Sequence, residues 1–173
     1  MKKILLLSIV LTLALSMYAQ NIKLAYINST RIMSESNDTR EAQRLFQVDR
    51  ENWDKEIDDM TAEIQRLERE YETRKLTLSE SGKTEAENRI MTRMRERQQM
   101  VERIYGENGV AERRNNELLA PIMDRLREVL NRIAIDENYT MIFDASSSGI
   151  LWAQERLDIT QQVIIEMNRQ GRN

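Results

Sequence analysis

The apolar positions of this chain fall into one long helical pattern interrupted once. They occur at Phe46, Trp53, Ile57, Met60, Ile64, Leu67, Tyr71 and Leu78. Between Trp53 and Tyr71 they recur every three or four residues, which puts them on one stripe of a helix. The stripe resumes at Ile90, Met94, Val101, Ile104, Ala111, Leu118 and Ile122. Residues 38–120 contain no proline and only three glycines. The polar stretch Ser79 to Thr84 is the one place for a turn, with Gly82 suited to a left-handed helix end. Thr84 and Glu87 then form a capping box for the next helix. The pattern predicts an antiparallel helical hairpin over 38–120, each arm about 50–60 Å long at a rise of ~1.5 Å per residue.

Two paired helices bury only a narrow seam, so the flanks must supply an anchor. Ile22 to Asn28 is rich in strand formers and ends in Asn28-Ser29-Thr30, which predicts a first strand. Asp38 and Glu41 offer a capping box for the first arm. Pro121 either starts a new helix or kinks a continuing one. The apolar face at Ile122, Leu126, Val129, Leu130 and Ile133 is wider than the arm stripe, so this segment packs into a core. Tyr139 to Asp144 reads as a second strand, Ser146 to Gly149 as a loop, and Ile150-Leu151-Trp152 as a short third strand. Asp158 and Gln161 cap a last helix through Met167, and the tail from Asn168 frays.

The expected fold is therefore mainly α, in the α+β class. A long hairpin (38–120) stands on a small β-containing body built from both chain ends, 20–37 and 121–173. A three-stranded sheet this small exposes its edges, and oligomerisation covers them. The residues expected to build that assembly are Leu24, Tyr26, Ile27, Ile142, Phe143, Leu151 and Trp152.

Residues 1–19 stand apart. Lys2 and Lys3 precede the apolar run Ile4 to Met17, and Ala19 is a small residue before a polar switch. This is the layout of a secretory signal peptide cut after Ala19. The alternative, an uncleaved anchor, needs about 20 apolar residues, and the run is shorter. Cleavage removes two lysines and no acid, taking the formal charge from −3 to −5. An acidic exported protein is a poor candidate for nucleic-acid binding. The chain has no cysteine and no histidine. The missing histidine removes the usual general base and the commonest zinc ligand, so no metal or cofactor is expected.

Charge along the arms is uneven. Residues 38–65 carry nine acids and four bases; residues 66–97, around the tip, carry nine bases and seven acids. One reading is a solvated surface of helical ion pairs; the other is a mildly positive tip that makes weak contact with a membrane surface. On the returning arm Arg97, Asn108 and Asn115 fall where the seam expects apolar residues. Gly106 and Gly109 each cost about 1 kcal/mol in a helix, so together with Pro121 they predict an arm that bends. Leu45, Val48, Leu76, Met91, Met100 and Tyr105 are apolar but off the seam. They are either scattered surface residues or an adaptable surface for apolar partners, a role that suits methionine.

Enzyme chemistry finds little footing. Gly82-Lys83-Thr84 ends like a phosphate-binding loop, but Thr77 stands where the first glycine is required. Carboxylate pairs abound without a pocket to hold a substrate. A structural coiled-coil adaptor with one specific partner is the stronger rival to a binding protein for many clients.

These pieces, in this order, resemble the Skp/OmpH family of periplasmic chaperones. Lys23 to Asn28 resembles the family's opening strand, and the charged hairpin its tentacle. Pro121-Ile122 is similar to the proline-isoleucine where the chain re-enters the body. Tyr139 to Asp144 resembles the closing strand, and Asp158-Ile159-Thr160 the D-I-T before the last helix. The resemblance implies a periplasmic homotrimer whose three hairpins enclose a cavity. It also implies ATP-independent holding of unfolded outer-membrane proteins. One departure is plain: familiar members are strongly basic, and this chain is acidic.

Overall fold

The computed structural model describes residues 22–147 and 149–170. The expected signal peptide lies outside the described residues.

Strand β1 (Leu24–Ile27) leads into helix α1 (Ser29–Glu35), and then α2 runs unbroken from Asn37 to Arg74. The return is made of α3 (Glu80–Tyr105) and α4 (Val110–Asp136); β2 (Met141–Asp144), a 3-10 turn (Glu155–Leu157) and α5 (Thr160–Gln170) complete the order. The fold is a long helical hairpin on a small α/β body.

The two strands pair in parallel, with Leu24 opposite Met141 and Ile27 opposite Asp144. Parallel strands need a long crossover, and here the whole arm is that crossover. Ala25 and Ile27 point into the body core with Ile32, Leu126, Val129, Val163 and Met167, all buried. The opposite sheet face carries Leu24, Tyr26, Met141 and Phe143. A second cluster, separate from the first, lies in the arm around Ile57, Met100 and Ile104, flanked by Trp53, Met60, Val101 and Ala111. The middle of the chain thus stands away from the base formed by its two ends.

Several local expectations are corrected. The expected third strand is absent: residues 150–152 have no regular structure, with Leu151 99% and Trp152 80% exposed. The free side of β1 is taken instead by a bridge from Tyr26 to Asp158 and by the Ile159 N–H on the Tyr26 carbonyl at 3.0 Å. An apolar tripeptide with no ladder partner and no face to bury against has nothing to hold it extended.

Helix α1 is an addition: Asn28-Ser29-Thr30 does not close a strand into a loop. The Asn28 side chain accepts from the Arg31 N–H at 2.9 Å and starts a helix that buries Ile32. The cap of α2 is Ser36 rather than Asp38.

Around the tip, Ser79 caps α3 through the Gly82 N–H at 3.2 Å, five residues before the expected cap at Thr84. Gly82 is therefore helical, and Thr84 sits inside the helix with its hydroxyl on the Glu80 carbonyl. The tip turn is residues 75–79. The C-terminal tail also holds further than expected, since Asn168 accepts from the Asn37 N–H and donates to the Glu35 carbonyl.

Pro121 lies inside α4, so the helix continues through it. Gly106 and Gly109 are not mid-helix. They bracket a four-residue interruption between α3 and α4, with Asn108 at a φ of 55°. A Cβ on Gly106 would meet the Glu102 carbonyl at 2.4 Å, and one on Gly109 the Ile104 carbonyl at 2.5 Å. Close backbone approach, not helix flexibility, is why glycine stands at both positions.

The interruption also changes the pairing of the arms. On the tip side Tyr71 pairs with Glu87, Thr61 with Arg97, Glu63 with Arg93 and Asp54 with Tyr105, and the residue numbers total 156 to 159. On the body side, Asp49 pairs with Arg114 and Asp38 with Arg125, and the totals are 163. A continuous antiparallel pair would keep these totals within one range. The residues looped out between α3 and α4 absorb the offset.

Candidate functional site

The candidate sites among the described residues are surfaces. The first is the uncovered face of the β1–β2 sheet. Side chains alternate across a strand, so parallel register puts Leu24 beside Met141 and Tyr26 beside Phe143 on one face. Leu24, Met141 and Phe143 are exposed and Tyr26 is half-buried. Leu151 and Trp152 add two more bare apolar side chains on the segment that follows β2. Of the residues expected to build the assembly, Leu24, Tyr26 and Phe143 lie on this face, and Leu151 and Trp152 stand exposed on the segment that follows β2. Ile27 and Ile142 face the chain's own core instead.

One end of the sheet is fastened by Asp144. Its carboxylate accepts from the Ser29 hydroxyl at 2.6 Å and the Ser29 N–H at 3.1 Å. It also accepts the Ser146 hydroxyl at 2.7 Å and the Ser146 N–H at 3.0 Å. Burial by itself would raise this carboxyl. The hydrogen bonds from Ser29 and Ser146 outweigh it and hold the group well below the usual carboxylate range.

The second surface runs along the arm. Val48, Leu76, Met91 and Tyr105 are exposed, as the off-seam reading expected, and Leu76 at the tip is 93% exposed. Leu45 is half-buried and lines a groove at the arm root with Ala42, Leu118, Pro121 and Ile122. Met100 is a correction: it is buried against Ile57 and Ile104 in the seam. Met94, expected in the seam, is 50% exposed.

The spacing rule fits two neighbouring faces of α3 almost equally well. The choice is made by cross-arm partners. Arg97 donates to the Thr61 hydroxyl at 2.7 Å, and Arg93 reaches Glu63 at 3.3 Å. Long arginine stems lie over the seam while their heads find partners, and that rotates Met94 outward.

Next to the interruption, Trp53 stands edge-on to both Phe46 and Tyr105, with ring centroids 6.2 and 6.4 Å away. Burial, and the bond that the Tyr105 hydroxyl donates to Asp54, push that phenol above its ordinary value. Among the described residues no cluster of acidic side chains is arranged to hold a metal, and no helix is long and apolar enough to cross a membrane.

A family model described as outer membrane protein (OmpH-like) matches residues 23–167. A solved structure of a candidate outer membrane chaperone (OmpH-like) from Caulobacter crescentus CB15 has the same fold. Its TM-score is 0.77 at 11% identity, and the match covers 86% of this chain and 85% of that one. No curated protein matches by sequence.

Proposed function

The chain belongs to the OmpH-like family, and on that footing we propose that it is an ATP-independent holding chaperone for unfolded outer-membrane proteins. It works in the periplasm after export, as an assembly of three copies. The observation that carries this reading is the division of the apolar side chains into two unlike surfaces. One is a group of exposed apolar side chains on the body, suited to copies of itself. The other is a thin, broken series along a projecting arm.

Leu24, Tyr26, Met141, Phe143, Leu151 and Trp152 meet their counterparts and join the bodies. The arms then hang side by side around a shared space. An unfolded β-barrel protein exposes alternating apolar residues and unpaired strand edges, which aggregate. Single contacts with Val48, Leu76, Met91 or Tyr105 are weak. Several arms around one client raise the local concentration, so weak contacts hold it without an energy source for release. Preference for the unfolded state keeps the client soluble and unfolded.

The test is direct. The purified mature chain should have the mass of a trimer by light scattering. At stoichiometric ratio it should suppress the turbidity of a β-barrel membrane protein diluted from urea. A monomer, or a turbidity trace unchanged by the protein, overturns the reading and favours the single-partner adaptor.

A further inference from the structure

The middle of α3 carries an apolar patch beside two guanidiniums that lack carboxylate partners. Met91 and Met94 are one turn apart and 51% and 50% exposed, while the same helix seals the seam with Met100 and Ile104. Arg95 lies one turn beyond Met91, and its bond among the described residues is to the Thr92 hydroxyl at 3.4 Å. Arg97 lies one turn beyond Met94, and its bond among the described residues is to the Thr61 hydroxyl. Among the described residues Arg89 and Arg103 on the same helix also lack a carboxylate partner, whereas Arg93 and, on α4, Arg114 are compensated. Arg93 sits between Glu63 and Glu96, and Arg114 between Asp49 and Glu117. The patch is therefore a local positive surface with thioether side chains between its charges, on a chain whose formal charge is −3.

We infer that this patch on α3 grips the client, and that it selects extended segments in which apolar residues alternate with carboxylates. The inference rests on the chaperone reading above and names the segment chemistry within it. Its basis is complementarity of charge and spacing. In an extended chain, side chains two residues apart stand on one face about 6–7 Å apart. Neighbouring side chains one turn apart on a helix lie about 5–6 Å apart. One side chain of such a segment can rest on Met91 and Met94 while a carboxylate two residues on meets Arg95 or Arg97 in a charge-assisted hydrogen bond. Methionine adapts to whatever apolar side chain arrives, so the arginines supply the selection.

The experiment uses the full mature chain and two labelled peptides of equal length and apolar content, alternating leucine with glutamate or with lysine. Anisotropy should show the acidic peptide binding about fivefold tighter than the basic one at low salt, a preference carried by one or two charge contacts. Arg95→Gln should cut that preference to about twofold or less while retaining apolar binding. Met91→Ser with Met94→Ser should weaken both peptides by about fivefold. Arg127→Gln removes the same charge from the body and should leave the preference intact. Circular dichroism confirms that the exposed substitutions keep the helices.

Equal binding of both peptides by the unaltered chain overturns the inference, as does an unchanged preference in Arg95→Gln. If Arg95→Gln changes the mass of the assembly and not the preference, a neighbouring copy covers the patch and the assignment is wrong. If the chain suppresses client turbidity but shows no preference, the inference alone falls. If it binds neither peptide and suppresses nothing, the chaperone reading falls with it.

Discussion

The hydroxyl of Tyr105 donates to the Asp54 carboxylate across the two arms at 2.5 Å, from the last residue of α3 before the interruption. It lies at the end of the tip-side pairing, and on the body side Asp49 with Arg114 and Asp38 with Arg125 pair with the offset described above. The bond and the edge-on Trp53 ring pin the end of α3 at the place where the returning rod loses its helix. Tyr105→Phe removes the bond and keeps the ring. The group is partly exposed, so the expected loss is below about 1 kcal/mol. Hydrogen exchange should speed up selectively at residues 104–110, and uniform exchange across the arm would show that the contact does not pin the break.

Alanine at Gly106 or Gly109 has an effect opposite in sign to its effect inside a helix. Mid-helix, each change would stabilise by about 1 kcal/mol. Here the new methyl collides with the backbone carbonyl of Glu102 or Ile104. Overpacking of this kind costs about 1–3 kcal/mol. Urea unfolding followed by helical circular dichroism should show a lower midpoint for each variant, and a raised midpoint would mean that the break can close into a continuous helix.

Asp144 makes the body sensitive to acid. Its folded pKa lies below the unfolded value of about 3.9. A depressed carboxylate contributes stability that is fully present above the unfolded pKa and is lost as pH falls toward the folded one. Stability should therefore decline below about pH 4, and Asp144→Asn should flatten that slope while costing about 1–2 kcal/mol at neutral pH. Unfolding curves between pH 3 and 7 read both effects, and a slope unchanged by the substitution would remove Asp144 as its source.

If bodies join through the bare sheet face, a charge there separates them. Phe143→Asp should reduce the mass to that of a single chain at micromolar concentration while helical content persists. Trp152 is 80% exposed in one chain, so its fluorescence should shift to the red on dissociation. A variant that keeps the full mass would place the contact elsewhere.

The hairpin was legible because helix periodicity is local: Ile57, Ile64 and Leu67 stand at helical spacing in any context, and all three are buried. The body strands were legible for the same reason, from β-branched and aromatic runs bounded by polar residues. Met94, Met100 and Ile150 to Trp152 show where that reading stops. A stripe on α3 can be drawn through Met94 and Val101 or through Met100 and Ile104, and the two lie side by side on the helix. The choice depended on Glu63 and Thr61, more than thirty residues away, drawing Arg93 and Arg97 across the seam. Asn28 was misread because one residue type serves both turns and helix caps, and only the buried Ile32 behind it decides between them.

Sequence alone determined the long helical hairpin, strands β1 and β2, the last helix and the family, since each follows from patterns within a few tens of residues. Only tertiary structure decided which face of α3 closes the seam, the parallel pairing of β1 with β2, the role of the two glycines and the exposure of Trp152. Those outcomes turn on which distant groups come within hydrogen-bond or contact distance. That information lies in the packing of the whole chain and in no single stretch of it.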